Sequence, residues 1–151
     1  MFDTIVWATD GSELADSTLP LVTELARTHD SKIVAVHANE LFSGGRFGGG
    51  PMLPDEDEIR IKISAQVEDL RQAGFETADL RVETSSRRST AELIADAATE
   101  FQADLIVVGT RGPVLGSVAS GLIRRAPCPV LAVPALHDRA GSAGQRQLVT
   151  A

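Results

Sequence analysis

Five short apolar runs alternate with stretches of helical spacing, and this alternation limits the folds open to the chain. The runs cover residues 4–9, 32–38, 79–84, 104–109 and 128–133. Between them, Leu14, Leu21, Val22, Leu25 and Ala26 form one apolar helical face, and Ile59, Ile63, Val67 and Leu70 form a second. Leu93, Ile94, Ala97, Ala98 and Phe101 form a third, and Val118, Leu122 and Ala126 a shorter fourth. The order βαβαβαβαβ implies an α/β fold, one parallel sheet with helices on both faces. The runs at Ile5, Ile33 and Leu105 are nearly unbroken apolar stretches, as strands covered on both faces require. Leu80-Arg81-Val82-Glu83 alternates instead, which suits a half-wet edge strand.

Local signals mark the helix ends. Ser89-Thr90-Ala91-Glu92 has the form of a capping box, and Ser12 is placed to cap the first helix. Pro20 falls inside that first helix and predicts a kink. Gly74 is placed to stop the second helix and Pro127 the fourth. The pattern fills residues 1–136, one domain. Residues 137–151 are polar without periodicity and read as a mobile tail. Residues 39–56, which contain 43-SGGRFGGGP-51, are far longer than a usual strand-to-helix connection and read first as a surface insertion, with a flap over a ligand as the alternative.

In an open parallel sheet, ligands bind beyond the carboxyl ends of the strands, where strand order reverses. Two strand ends carry suitable groups. The first ends in Thr9-Asp10-Gly11-Ser12. The fourth ends in 109-GTRGPVLGSV-118, where successive amides lead to a helix N-terminus near Gly116-Ser117. If the sheet reverses between these strands, phosphates suit the glycine loop, with Arg111 within reach of them, and Asp10 suits a ribose or base. The loop matches neither GxxxxGK[ST] nor GxGxxG. From the residues alone, a phosphate cradle and a plain strand-to-helix turn both remain open.

Charge and residue inventory narrow the functions. The net charge of −7 disfavours nonspecific nucleic-acid binding. Only Lys32 and Lys62 are lysines, so few can meet a phosphate. Cys128 is the only cysteine and sits among apolar neighbours, which predicts a structural thiol, no internal disulfide and no cysteine-pair metal site. No run approaches membrane-spanning length and no leader pattern opens the chain, so a cytoplasmic location is expected. His37, at the end of the second strand, is expected to be a hydrogen-bonded structural group. No nucleophile elbow and no water-positioning base accompany the loop, so no catalysis is expected beyond slow incidental ATP hydrolysis.

Taken together, 5-IVWATDGS-12, 33-IVAVHA-38, 106-IVVGTRG-112, Gly116-Ser117-Val118 and 127-PCPVLAVP-134 resemble the universal stress protein family. The resemblance implies an open five-stranded parallel sheet of strand order 3-2-1-4-5. It implies ribose or triphosphate contacts at Asp10, Gly109, Gly112, Gly116 and Ser117, flanked by Thr9, Gly11 and Val118. It implies adenine contacts near His37 and Ala38. ATP-binding members carry G-x2-G-x9-G-[ST]. Here only Pro113-Val114-Leu115 separate Gly112 from Gly116, so the cradle is cut in its middle and Pro113 removes an amide. The expected ligand is therefore ATP, with AMP or no nucleotide as alternatives, in a small stress-response protein. The competing expectation is a nucleotide-free interaction module. The resemblance also implies a homodimer. Val130-Leu131-Ala132-Val133 forms an uncharged outer strand that a two-fold copy would cover.

Overall fold

A computed structural model of the chain describes residues 1–39, 56–83, 88–111 and 115–135. The glycine-rich segment, Gly112 and the expected tail lie outside the described residues. The elements are β1 (Thr4–Thr9), α1 (Glu13–Asp16), α2 (Leu19–His29), β2 (Lys32–Asn39) and α3 (Glu56–Gln72). They continue with β3 (Thr77–Glu83), α4 (Thr90–Glu100), β4 (Leu105–Thr110), α5 (Ser117–Arg125) and β5 (Val130–Pro134). All strand pairs are parallel, and the sheet order is β3-β2-β1-β4-β5.

The strands' two-residue period divides the core into two layers. Val6, Ala8, Val34, Val36, Ile106 and Val108 point to one face, where α4 and α5 bring Ile94, Ala95, Ala98, Ala119 and Leu122. Ile5, Trp7, Ile33, Ala35, Leu105 and Val107 point to the other, covered by Val22 and Ala26 of α2 and by Ile63, Val67 and Leu70 of α3. Each central strand is thus buried on both sides, which is why its sequence shows no polar alternation.

The helix ends follow their local chemistry. Ser89 and Glu92 form the full capping box at the start of α4: Ser89 N–H donates to Glu92 Oε2 at 2.8 Å, and Glu92 N–H donates to Ser89 Oγ at 3.2 Å. The α3 helix ends in a left-handed Gly74 (φ +95°). The Phe75 amide donates back to Leu70 and the Gly74 amide to Arg71, which satisfies the last-turn carbonyls. The α4 helix closes in the same way, but with Gln102 in the left-handed position (φ 53°).

One local expectation is corrected. Pro20 does not kink a continuous first helix. The chain breaks at Ser17-Thr18, and Pro20 falls in the first turn of α2. An amide there has no intrahelical partner, so proline costs no bond. The break also serves Trp7, which is fully buried. Its indole N–H donates to Thr18 Oγ1 at 2.9 Å, and Thr18 Oγ1 in turn donates to the Ala15 carbonyl at 2.7 Å. A buried indole N–H needs such an acceptor.

Candidate functional site

The strand order reverses between β1 and β4. Their cross-strand pairing ends at Trp7↔Val107, although β1 runs to Thr9 and β4 to Thr110. The outer neighbours stay paired further, to Thr9↔His37 on one side and Thr110↔Pro134 on the other. The two central strands therefore part at their carboxyl ends, and the loops that follow them flank the parting. This is where an open α/β sheet receives ligands.

The β1 loop is held by its own side chains. Gly11 N–H donates to Thr9 Oγ1 at 3.1 Å, and Ser12 N–H donates to Asp10 Oδ1 at 2.9 Å. Ser12 Oγ accepts from the Ala15 N–H at 3.3 Å and caps α1. Thr9 is buried, whereas Asp10 is exposed. Among the described residues, no group donates to Asp10 Oδ2. Gly11 has φ +78°, and a Cβ there would lie 2.8 Å from Ile59 Cγ2, so both conformation and space call for glycine.

Helix α3 grips this loop. Lys62 Nζ donates to the Gly11 carbonyl at 2.7 Å and to Asp16 Oδ2 at 2.5 Å. Gln66 Nε2 donates to Asp16 Oδ1 at 2.8 Å. Sequence reasoning missed Lys62, Gln66 and Ile59. Their helix was legible, but Lys62 lies 51 positions from Gly11, and only the packing of α3 joins them.

On the other side of the parting, Gly109 lies beneath α1. A Cβ on it would lie 3.0 Å from both Leu14 Cγ and the Leu14 carbonyl oxygen. The first glycine of the loop thus has a packing reason to be glycine, independent of any phosphate. Arg111 is exposed. Gly116 is the N-cap of α5 and makes no side-chain cap, and a Cβ there would have nothing within 4 Å. Gly116 and Ser117 are exposed, while Val118 packs partly into the core face beneath α5. Val118 can therefore serve a ligand only through its amide. The first-turn amides of α5 carry the positive end of the helix dipole.

His37 is 4% exposed, closed in beside Thr9 at the end of β2. Its backbone neighbour Ala38 continues the strand. Cys128 is half-buried; burial first, and then the charge of Asp104, raise its thiol pKa above the ordinary 9.0. Among the described residues, no cluster of three or more His, Cys, Asp or Glu is placed to hold a metal ion. No helix among them is long and apolar enough to cross a membrane.

A doubly wound parallel sheet that parts between β1 and β4, with a carboxylate on one lip and a helix N-terminus on the other, defines the chain as an open α/β protein with a crevice at its switch point. The universal stress protein family matches residues 1–134, and the chain belongs to it. A universal stress protein of Thermus aquaticus is 33% identical over 141 residues, covering 88% of this chain and 99% of that one. The crystal structure of a family member from Burkholderia pseudomallei is 31% identical, with a TM-score of 0.65 over 88% of this chain and 96% of that one. A universal stress protein from Archaeoglobus fulgidus, described in complex with dAMP, is 28% identical, with a TM-score of 0.62 over 88% of this chain and 98% of that one.

Proposed function

We propose that this protein binds an adenine nucleotide in the crevice between the β1 and β4 loops and acts as a dimeric signalling module in the cytoplasm rather than as an enzyme. The observation that carries this reading is the placement, on either side of one parting, of two solvent-facing groups that no side chain among the described residues occupies: Asp10 Oδ2 and the α5 N-terminus at Gly116. A carboxylate oxygen accepts from ribose hydroxyls, and first-turn amides donate to phosphate oxygens. The site residues divide accordingly. Asp10 takes the ribose, the amides of Ser117 and Val118 take phosphate, and the chain near His37 and Ala38 faces the base. Thr9, Gly11 and Gly109 shape the loops. The dAMP complex of a relative 28% identical supports the choice of an adenine ligand.

The short link Pro113-Val114-Leu115 favours few phosphates. It offers less backbone than a triphosphate needs, and Pro113 donates no amide. ATP and AMP are therefore expected to bind with similar affinity. The same feature favours a second reading, in which nucleotide binding is lost and the protein is an interaction module alone. In either case β5 is the outer strand of the sheet, and its apolar residues Val130 to Val133 are only partly covered. Antiparallel pairing with the β5 of a second copy would satisfy that edge in one closed interface.

Two measurements test these points. Calorimetry with AMP, ATP and adenosine should show binding that survives removal of the terminal phosphates; absence of heat with all three at millimolar concentration overturns the nucleotide reading. Light scattering should give about twice the 16.0 kDa chain mass. A mass near 16.0 kDa at micromolar concentration overturns the dimer.

A further inference from the structure

We infer that Lys62 is a positioning residue for the Asp10 carboxylate, acting through the single peptide group that joins Gly11 to Ser12. The inference rests on the nucleotide reading and adds to it a residue outside both loops. The carbonyl of that peptide group accepts from Lys62 Nζ at 2.7 Å. Its N–H, on the opposite side of the same plane, donates to Asp10 Oδ1 at 2.9 Å. A peptide group is planar, so fixing its carbonyl fixes the direction of its N–H. The donor on the carbonyl also polarises the group and strengthens the bond its N–H makes.

The peptide needs such a hold. Gly11 has φ +78°, and a glycine flanked by a turn can rotate a peptide plane at little steric cost. Rotation would withdraw the Ser12 N–H from Asp10 and free the carboxylate to turn. Lys62 opposes that rotation with an ammonium, a stronger donor than a neutral amide. The lysine is itself fixed, because Asp16 Oδ2 lies 2.5 Å from its Nζ and Gln66 holds the other oxygen of Asp16. With Oδ1 of Asp10 directed at Ser12, Oδ2 is the oxygen left for a ribose hydroxyl.

A lysine that merely ties α3 to α1 through Asp16 would act on stability alone. A positioning lysine acts on ligand affinity, and only while Asp10 is present. The test is a double-mutant cycle in the full chain, with AMP as the probe in calorimetry. Lys62→Met should weaken AMP binding by roughly five- to tenfold, the effect of one ordinary hydrogen bond, since the lysine acts on the ligand only through Asp10. In an Asp10→Ala background the same change should have no further effect. Asp16→Asn, which loosens Lys62 but leaves the Gly11 carbonyl within its reach, should weaken AMP binding less than Lys62→Met does, and likewise only while Asp10 is present.

A ligand-free readout accompanies the cycle. Amide exchange at Ser12 should quicken in Lys62→Met, while exchange at Ala15 stays unchanged. Unchanged Ser12 exchange overturns the positioning role whether or not any nucleotide binds. If the parent binds AMP and Lys62→Met binds it equally well, the positioning role fails and the nucleotide reading stands. If Lys62→Met weakens binding as much without Asp10 as with it, Lys62 does not act through Asp10. If the parent binds none of AMP, ATP and adenosine, both readings fall.

Discussion

Replacing Thr18 by valine removes one hydroxyl from a fully buried position while keeping the shape of the side chain. That hydroxyl is the acceptor for the Trp7 indole N–H at 2.9 Å. After the change, the nearest acceptor is the Ala15 carbonyl, 3.4 Å away. At that distance little of the bond remains, and no water reaches the indole, since Trp7 is wholly buried. A buried donor left without its partner costs about 1–3 kcal/mol. The residual Ala15 contact places the expected loss near the middle, at about 2 kcal/mol. For a chain of this length that corresponds to a fall of about 4–8 °C in melting temperature. Thermal unfolding followed by circular dichroism measures it. The loss should depend on the tryptophan: in a Trp7→Phe background, Thr18→Val should cost less than about 0.5 kcal/mol, because no indole remains to be orphaned. A neutral Thr18→Val, or an equal cost in both backgrounds, would refute the role of Thr18 as the partner of the Trp7 indole.

Three further outcomes are expected. Gln102 holds a left-handed position that glycine adopts freely, so Gln102→Gly should raise stability by about 0.5–1 kcal/mol in urea denaturation. Gly109→Ala should cost about 1–3 kcal/mol, because its methyl would meet the Leu14 backbone carbonyl at 3.0 Å, whereas Gly116→Ala meets nothing within 4 Å and should cost only the smaller preference for glycine over alanine at a helix N-cap, about 0.5–1 kcal/mol. The backbone N–H of Ser89, chiefly, holds Glu92 below its ordinary value of 4.5, with the Ser89 hydroxyl, Arg125 and Arg88 assisting against a partial opposing effect of burial. A depressed folded-state pKa gives stability that is present above 4.5 and lost as pH falls through the folded value. Glu92→Gln should therefore flatten the acid side of the stability–pH profile in that window.

Much of the fold was legible because its signals are local or periodic. The capping box at Ser89 and Glu92 involves neighbours along the chain, and the unbroken apolar runs of β1, β2 and β4 report burial on two faces. Strand order came from the family resemblance, since no pattern in a single strand states which neighbour it takes. The errors lie where tertiary demand decides. Pro20 read as a kink because nothing near it in sequence announces that Trp7 needs Thr18. The packing of Leu14 on Gly109 was likewise hidden, because it exists only once α1 lies over β4. Ser12 was legible as the cap of α1, and Asp10 as a carboxylate just past β1, because the turn that holds them is only a few residues long. Lys62 was not, because its contact with Gly11 exists only once α3 has folded back over the β1 loop. Gly112 and residues 43–51 lie outside the described residues.

The central claim is that an adenine nucleotide sits between the β1 and β4 loops, and amide chemical shifts under AMP titration test it most directly. The largest shifts are predicted at Gly11 and Ser12 on one lip and at Ser117 and Val118 on the other, moving together with one saturating dissociation constant. Shifts that cluster away from both lips, or a spectrum unchanged at millimolar AMP, would contradict it.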